Sequence, residues 1–212
     1  MSTNKTPEQR VSKVFELLQT GSRKEYIGGK ITQLDHALQA AYLSKNEGAD
    51  EETILAALLL NIGHLIPSTE QHSGTRDKNE ATNRAFDIAG NYSASGGYNY
   101  YAEFGANYLR TLGFSNKTCE LIESNVMAKR YLLAKEPGYG DGAVLLFITL
   151  KGDPLLPTEM REFEKDSLFK QKVQLAKWDD AAAKATGVKP PVLDTYRDMA
   201  IRNLLMSMKM LY

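Results

Sequence analysis

The sequence predicts an all-α fold. Apolar residues recur at three- and four-residue spacing along most of the chain, helix start and stop signals bracket those stretches, and 212 residues suit one domain with one core. Thr6, Pro7 and Gln9 read as an N-cap, a first-position proline and a capping-box partner, with Val11, Val14, Phe15 and Leu18 on one face of a helix running to about Thr20. Gly21 stops it, and Gly28-Gly29 turns the chain. Ile31, Leu34, Leu38, Ala41 and Tyr42 then repeat at helical spacing, and 51–65 does the same with a more apolar surface. The pattern continues through 102–112, 118–134, 143–150, 157–186 in pieces and 192–211.

Residues 67–100 break the rhythm. The segment is polar and ends in Gly90-Asn91-Tyr92-Ser93-Ala94-Ser95-Gly96-Gly97-Tyr98, with 79–89 as a candidate short helix. Irregular stretches of this length are uncommon inside compact domains, so a cover over a pocket is one reading and a tolerated surface insertion the other. A single domain over 1–212 is expected, its core and subunit contacts extending to Leu204, Leu205, Met206, Met208 and Met210.

Composition narrows the function classes. Apolar residues make up 42% and charged residues 25%, as in ordinary soluble proteins. Lys+Arg and Asp+Glu stand at 26 each, so no net field draws in nucleic acid or an anionic membrane surface. The lone Cys119 excludes an internal disulfide and fits a reducing compartment, the cytoplasm. No apolar run reaches the roughly 20 residues that span a bilayer, and the polar start is unlike a secretory signal. Expected partners are a small-molecule substrate and, as an option, a second copy of the chain.

The stretch Ala56-Ala57-Leu58-Leu59-Leu60-Asn61-Ile62-Gly63-His64-Leu65 has the frame of a metal-binding helix, with Leu60 and Asn61 where a His-Asp pair would stand. Around it lie Tyr26, then Gln33-Leu34-Asp35-His36-Ala37-Leu38-Gln39-Ala40-Ala41, Gly105-Ala106-Asn107-Tyr108-Leu109, Val126-Met127-Ala128-Lys129-Arg130-Tyr131-Leu132, Leu150-Lys151-Gly152-Asp153-Pro154-Leu155 and Trp178-Asp179-Asp180. In this order, over about 26–185, the chain resembles the HD-domain family, in its oxygenase branch that cleaves organophosphonates with a mixed-valence di-iron centre. The resemblance implies an HD-like helical bundle. It also implies iron ligands at His36 and Asp179, with Asp180 as the neighbouring candidate, and an iron-covering tyrosine at Tyr26. The remaining ligand positions fall on Leu60, Asn61, Tyr101 and Asn125, and the lysine that helps hold the phosphonate falls on Lys129.

A pair of metal cations in a low-dielectric core needs imidazoles and a bridging carboxylate, whereas Leu60 has no lone pair and Asn61 and Asn125 offer weak neutral oxygens. No metal and no cofactor are therefore expected. Polar replacements buried without partners would each cost about 1–3 kcal/mol, which argues for a working pocket lined by hydrogen-bonding groups. In that pocket His36 is the expected acid or base, oriented by Asp179, with Tyr26 and Tyr101 exchanging protons and Asn61, Asn125 and Lys129 binding substrate. The function expected is a metal-independent isomerase, cyclase or lyase of small-molecule metabolism, such as specialised biosynthesis. A non-catalytic descendant binding a ligand or partner is the second reading, and a retained iron-dependent oxygenase the third. Phosphate-loop, dinucleotide and nucleophile-elbow signatures do not occur.

Overall fold

Thr6 and Thr32 open the first two helices by one device. Each hydroxyl accepts from the backbone N–H three residues on, and the side chain there, Gln9 or Asp35, accepts from the threonine N–H in return. Two donors that the first helical turn leaves without partners are thereby met. Asp50 and Ser115 cap later helices through Thr53 and Thr118.

The computed structural model describes residues 5–26, 31–67, 97–139, 152–184 and 189–209. Within them run α1 (Pro7–Thr20), α2 (Gln33–Asn46), α3 (Glu51–Leu59), α4 (Gly97–Leu112), α5 (Asn116–Glu123), α6 (Asn125–Lys135), α7 (Pro157–Phe163), α8 (Phe169–Ala182) and α9 (Arg197–Lys209). Short 3₁₀ turns stand at Gly21–Arg23, Ile62–His64 and Leu193–Tyr196. An isolated antiparallel bridge joins Glu25 to Thr32, and no strand occurs among the described residues. The expected all-α class is thus observed. Among the same residues no helix is long and apolar enough to cross a membrane.

Helix α3 lies at the centre. Thr53 through Leu59 are all buried, the pattern of a helix enclosed on every side. It packs against α2, α5, α8 and α9, while α8 also lies along α2 and α6. Leu55, Leu58, Leu59, Ile62, Leu109, Leu121, Ile122 and Leu175 lose all solvent contact, at roughly 1.5–3 kcal/mol per side chain. A smaller aromatic cluster, in which Phe169 meets Tyr131 and Phe163 edge-on, ties the far end of α6 to α7 and α8.

Several boundaries depart from the sequence pattern. The helix expected over 51–65 ends at Leu59, because Asn61 leaves helical geometry at φ −102°, ψ 15° and the chain tightens into the Ile62–His64 turn. Gly63 makes that turn possible: a Cβ there would lie 2.1 Å from the Tyr101 carbonyl oxygen on α4. The helix expected over 118–134 divides at Ser124, whose hydroxyl donates to the Glu120 carbonyl at 2.7 Å and bends the chain, so that Asn125 begins a new helix. Helix α4 starts at Gly97, inside the segment read as irregular. The Gly28-Gly29 turn, the helix at 143–150 and nearly all of the 67–100 insertion, with its candidate helix at 79–89, lie outside the described residues.

Candidate active site

Four segments converge on one buried point: the first turn of α2, the bend after α3, the first turns of α6 and the last turn of α8. His36 on α2 has no exposure to solvent. Its Nε2 lies 2.9 Å from the backbone carbonyl oxygen of Asp179 and 3.2 Å from Asp179 Oδ1. Both are acceptors, so Nε2 carries the ring hydrogen and Nδ1 is left to accept. Asn61 Nδ2 stands 3.4 Å from that Nδ1 and 3.4 Å from Asp179 Oδ1, one amide hydrogen for each. The Asp179 carbonyl lies in the last turn of α8 and accepts from His36 on α2.

The other Asp179 oxygen, Oδ2, receives Asn125 Nδ2 at 3.3 Å and Lys129 Nζ at 2.5 Å. Lys129 is 2% exposed and reaches Asp180 Oδ1 at 2.5 Å as well. The Tyr139 hydroxyl donates to the remaining oxygen of Asp180. Asn125 and Lys129 share a face of α6 because they are one helical turn apart. The Tyr26 ring lies flat on the His36 imidazole, centroids 3.8 Å apart and planes 6° from parallel.

Electrostatics assign the charges. Burial holds His36 below its ordinary value of 6.5, against the opposing pull of Asp179, so the imidazole is neutral near pH 7 and its contact with the carboxylate is a hydrogen bond and not an ion pair. For Lys129, burial is the largest influence and favours the neutral amine, but Asp179 and then Asp180 outweigh it and raise the pKa well above 10.5. Burial, and after it Asp180, pushes the Tyr139 phenol up, so it stays a donor. The centre therefore holds one ammonium, two carboxylates and a neutral imidazole. Asn125 Oδ1 is buried there with no hydrogen-bond partner.

Of the residues singled out from sequence, Tyr26, His36, Asn61, Asn125, Lys129 and Asp179 meet in this network. Tyr101 packs instead against His64, ring centroids 4.2 Å apart. Lys129, expected to bind substrate, is held by the Asp179 and Asp180 carboxylates. Asp180 enters as its second partner, and Tyr139 was missed, since its place between glycines reads only as a turn.

This donor set does not fit the metal pair that the resemblance implies. Leu60 is buried in the apolar core, Asn61 and Asn125 both turn their NH2 groups toward Asp179, and an ammonium sits on Asp179 Oδ2. Among the described residues no three His, Cys, Asp or Glu side chains stand close enough together to hold an ion.

No protein-family model matches the chain. It is 34% identical over 199 residues to the hydroxymethylphosphonate dioxygenase of Gimesia maris, covering 92% of this chain and 89% of that protein. It is 31% identical over 200 residues to uncharacterized protein L432 of Acanthamoeba polyphaga mimivirus, covering 92% and 82%. It is 30% identical over 167 residues to the glycine-betaine-forming [1-hydroxy-2-(trimethylamino)ethyl]phosphonate dioxygenase of Leisingera caerulea, covering 76% and 74%. These matches correct the expectation of a metal-independent isomerase, cyclase or lyase, and with it that of a non-catalytic descendant: the named relatives are dioxygenases aligned along most of their length. The chain belongs to the HD-domain-like oxygenase family that includes these phosphonate dioxygenases.

Proposed function

We propose that the chain is an enzyme of the oxygenase class whose substrate is a small organophosphonate. The supporting observation is the alignment with two relatives named for phosphonate oxidation, which spans nearly the whole chain in one case and three quarters of it in the other. A second element of the reading concerns the ligand positions. Leu60 and Asn61 occupy the place of the His-Asp pair, and Tyr101 and Asn125 occupy two further ligand places, so the metal motif is degenerate and His36 and Asp179 are what remains of it.

Iron, where the family holds it, supplies activation of dioxygen, and no step is assigned to it at this centre. The protein's own groups have defined work. The Asp179 carbonyl fixes the hydrogen of His36 on Nε2, Asn61 covers Nδ1, and the Tyr26 ring shields the imidazole face. His36 is thereby held neutral and in one tautomer, the state in which an imidazole accepts a proton or a coordinate bond at Nδ1 once Asn61 moves aside.

The test is phosphorus NMR of hydroxymethylphosphonate incubated with the purified chain in aerated buffer, with and without added ferrous iron, alongside oxygen uptake. Loss of the phosphonate resonance with matching oxygen consumption is expected. An unchanged spectrum across a panel of short hydroxy- and aminophosphonates, with no saturable binding of any of them, would reject the reading.

A further inference from the structure

The cation at the heart of this site is an amino-acid side chain. We propose that Lys129 and a metal ion exclude one another at Asp179, and that Lys129 holds the carboxylate in this protein, so that the centre is assembled and stable without metal. The inference stands on the Lys129 geometry and does not rest on the organophosphonate reading.

Three observations lead to it. First, the ammonium lies 2.5 Å from Asp179 Oδ2, the distance of a strong charge-assisted hydrogen bond, so a metal ion using that oxygen would have to displace it. Two cations crowded onto one carboxylate in a site without solvent repel strongly. Second, Lys129 is anchored from behind. Asp180 Oδ1 binds the same ammonium at 2.5 Å, and Tyr139 fixes the other Asp180 oxygen, so the lysine is placed by its own set of partners. Third, the neutral groups agree with a lysine and not with a metal. Asn61 and Asn125 both present N–H hydrogens to Asp179, so at the carboxylate these two side chains act as donors, where a metal site would need ligands. With Leu60, Asn61, Tyr101 and Asn125 at the ligand positions, the positive charge beside Asp179 is that of Lys129, a lysine the resemblance already implies at this position.

The experiment compares the full-length chain with Lys129→Met and with the double variant Lys129→Met/Asp179→Asn, using melting temperature, cobalt(II) titration calorimetry and metal analysis after growth in iron-supplemented medium. The wild type is expected to carry substoichiometric metal, to melt at the same temperature with and without EDTA, and to show no saturable cobalt binding. Lys129→Met is expected to melt roughly 10 °C lower, because its partner carboxylate is left buried and uncompensated, and to be raised by cobalt, which gains Asp179 and His36. If Lys129→Met does not fold, the double variant decides: recovery toward the wild-type melting temperature supports the pairing, and failure to recover overturns it. Stoichiometric iron bound through His36 and Asp179 in the wild type, or equal cobalt affinity in wild type and Lys129→Met, would also overturn it. These readouts are independent of turnover, so loss of phosphonate activity and loss of the lysine–metal exclusion are separately visible.

Discussion

Two buried regions lie against each other in this fold and are held by opposite means. Helix α3 is enclosed by apolar side chains, Leu55, Leu58 and Leu59 among them, whose contributions are many, similar and non-directional. Beside the bend at Asn61 that follows α3, the His36–Asp179–Lys129 centre holds a neutral imidazole, a carboxylate and an ammonium with almost no exposure. There each group depends on a particular partner. A hole in the first region costs the contacts that are lost. Removal of one member from the second leaves a buried charge or donor unmet, which costs more than the contact contributed.

The sharpest break of that contrast is Lys129→Met, expected to destabilise by about 3–5 kcal/mol in urea denaturation, as removal of one partner from a buried ion pair does. Leu58→Ala, in the apolar region, should cost about 2–5 kcal/mol, and the two losses should differ in how a second substitution repairs them. Asp179→Asn on top of Lys129→Met should recover part of the loss, while no neighbouring substitution of charge repairs Leu58→Ala. A value for Lys129→Met well below that for Leu58→Ala would mean the ion pair is not what holds the centre.

At the seam between the regions, Gly63→Ala should cost about 1–3 kcal/mol, because the new methyl would meet the Tyr101 carbonyl at 2.1 Å and α4 must shift. Wild-type stability within experimental error would show that α4 yields without strain. At the periphery, Thr32→Ala should lose about 1 kcal/mol, the usual worth of a capping hydroxyl, and leave the centre's metal and pH behaviour unchanged.

The contrast also has a pH signature. Burial lowers the pKa of His36 in the folded state, so below its ordinary 6.5 the unfolded chain binds the extra proton first. Stability is then present above pH 6.5 and falls as the pH drops toward the folded value, with Asp179 and Asp180 opposing that fall and Lys129 adding to it. Urea midpoints from pH 8 to pH 5 should slope downward in the wild type and more weakly in His36→Gln. Equal slopes would assign the acid sensitivity to other groups.

Much of the fold was legible in the sequence because its cues are local. Thr6, Pro7 and Gln9 announce a helix by spacing alone, and the capping box is present as expected. The breaks at Leu60 and Ser124 were not legible, since both sit inside unbroken apolar periodicity and are imposed from outside. Close approach of α4 at Gly63 fixes one, and a side-chain bond back to Glu120 fixes the other. The site divides the same way. Residue types singled out His36, Asn61, Asn125 and Asp179, and the structure brings these four side chains together. The sequence placed Lys129 in the pocket as a substrate-binding residue, but its partners were hidden, because Asp179 and Asp180 are distant in the chain and adjacent only in space.

The most direct test of the lysine-held centre is a crystal structure of the wild-type protein soaked in ferrous iron, with an anomalous difference map at the iron edge. The Lys129 ammonium should remain within hydrogen-bonding distance of Asp179 Oδ2, with no anomalous peak beside His36. A strong peak bridging His36 and Asp179, with Lys129 displaced from the carboxylate, would contradict it.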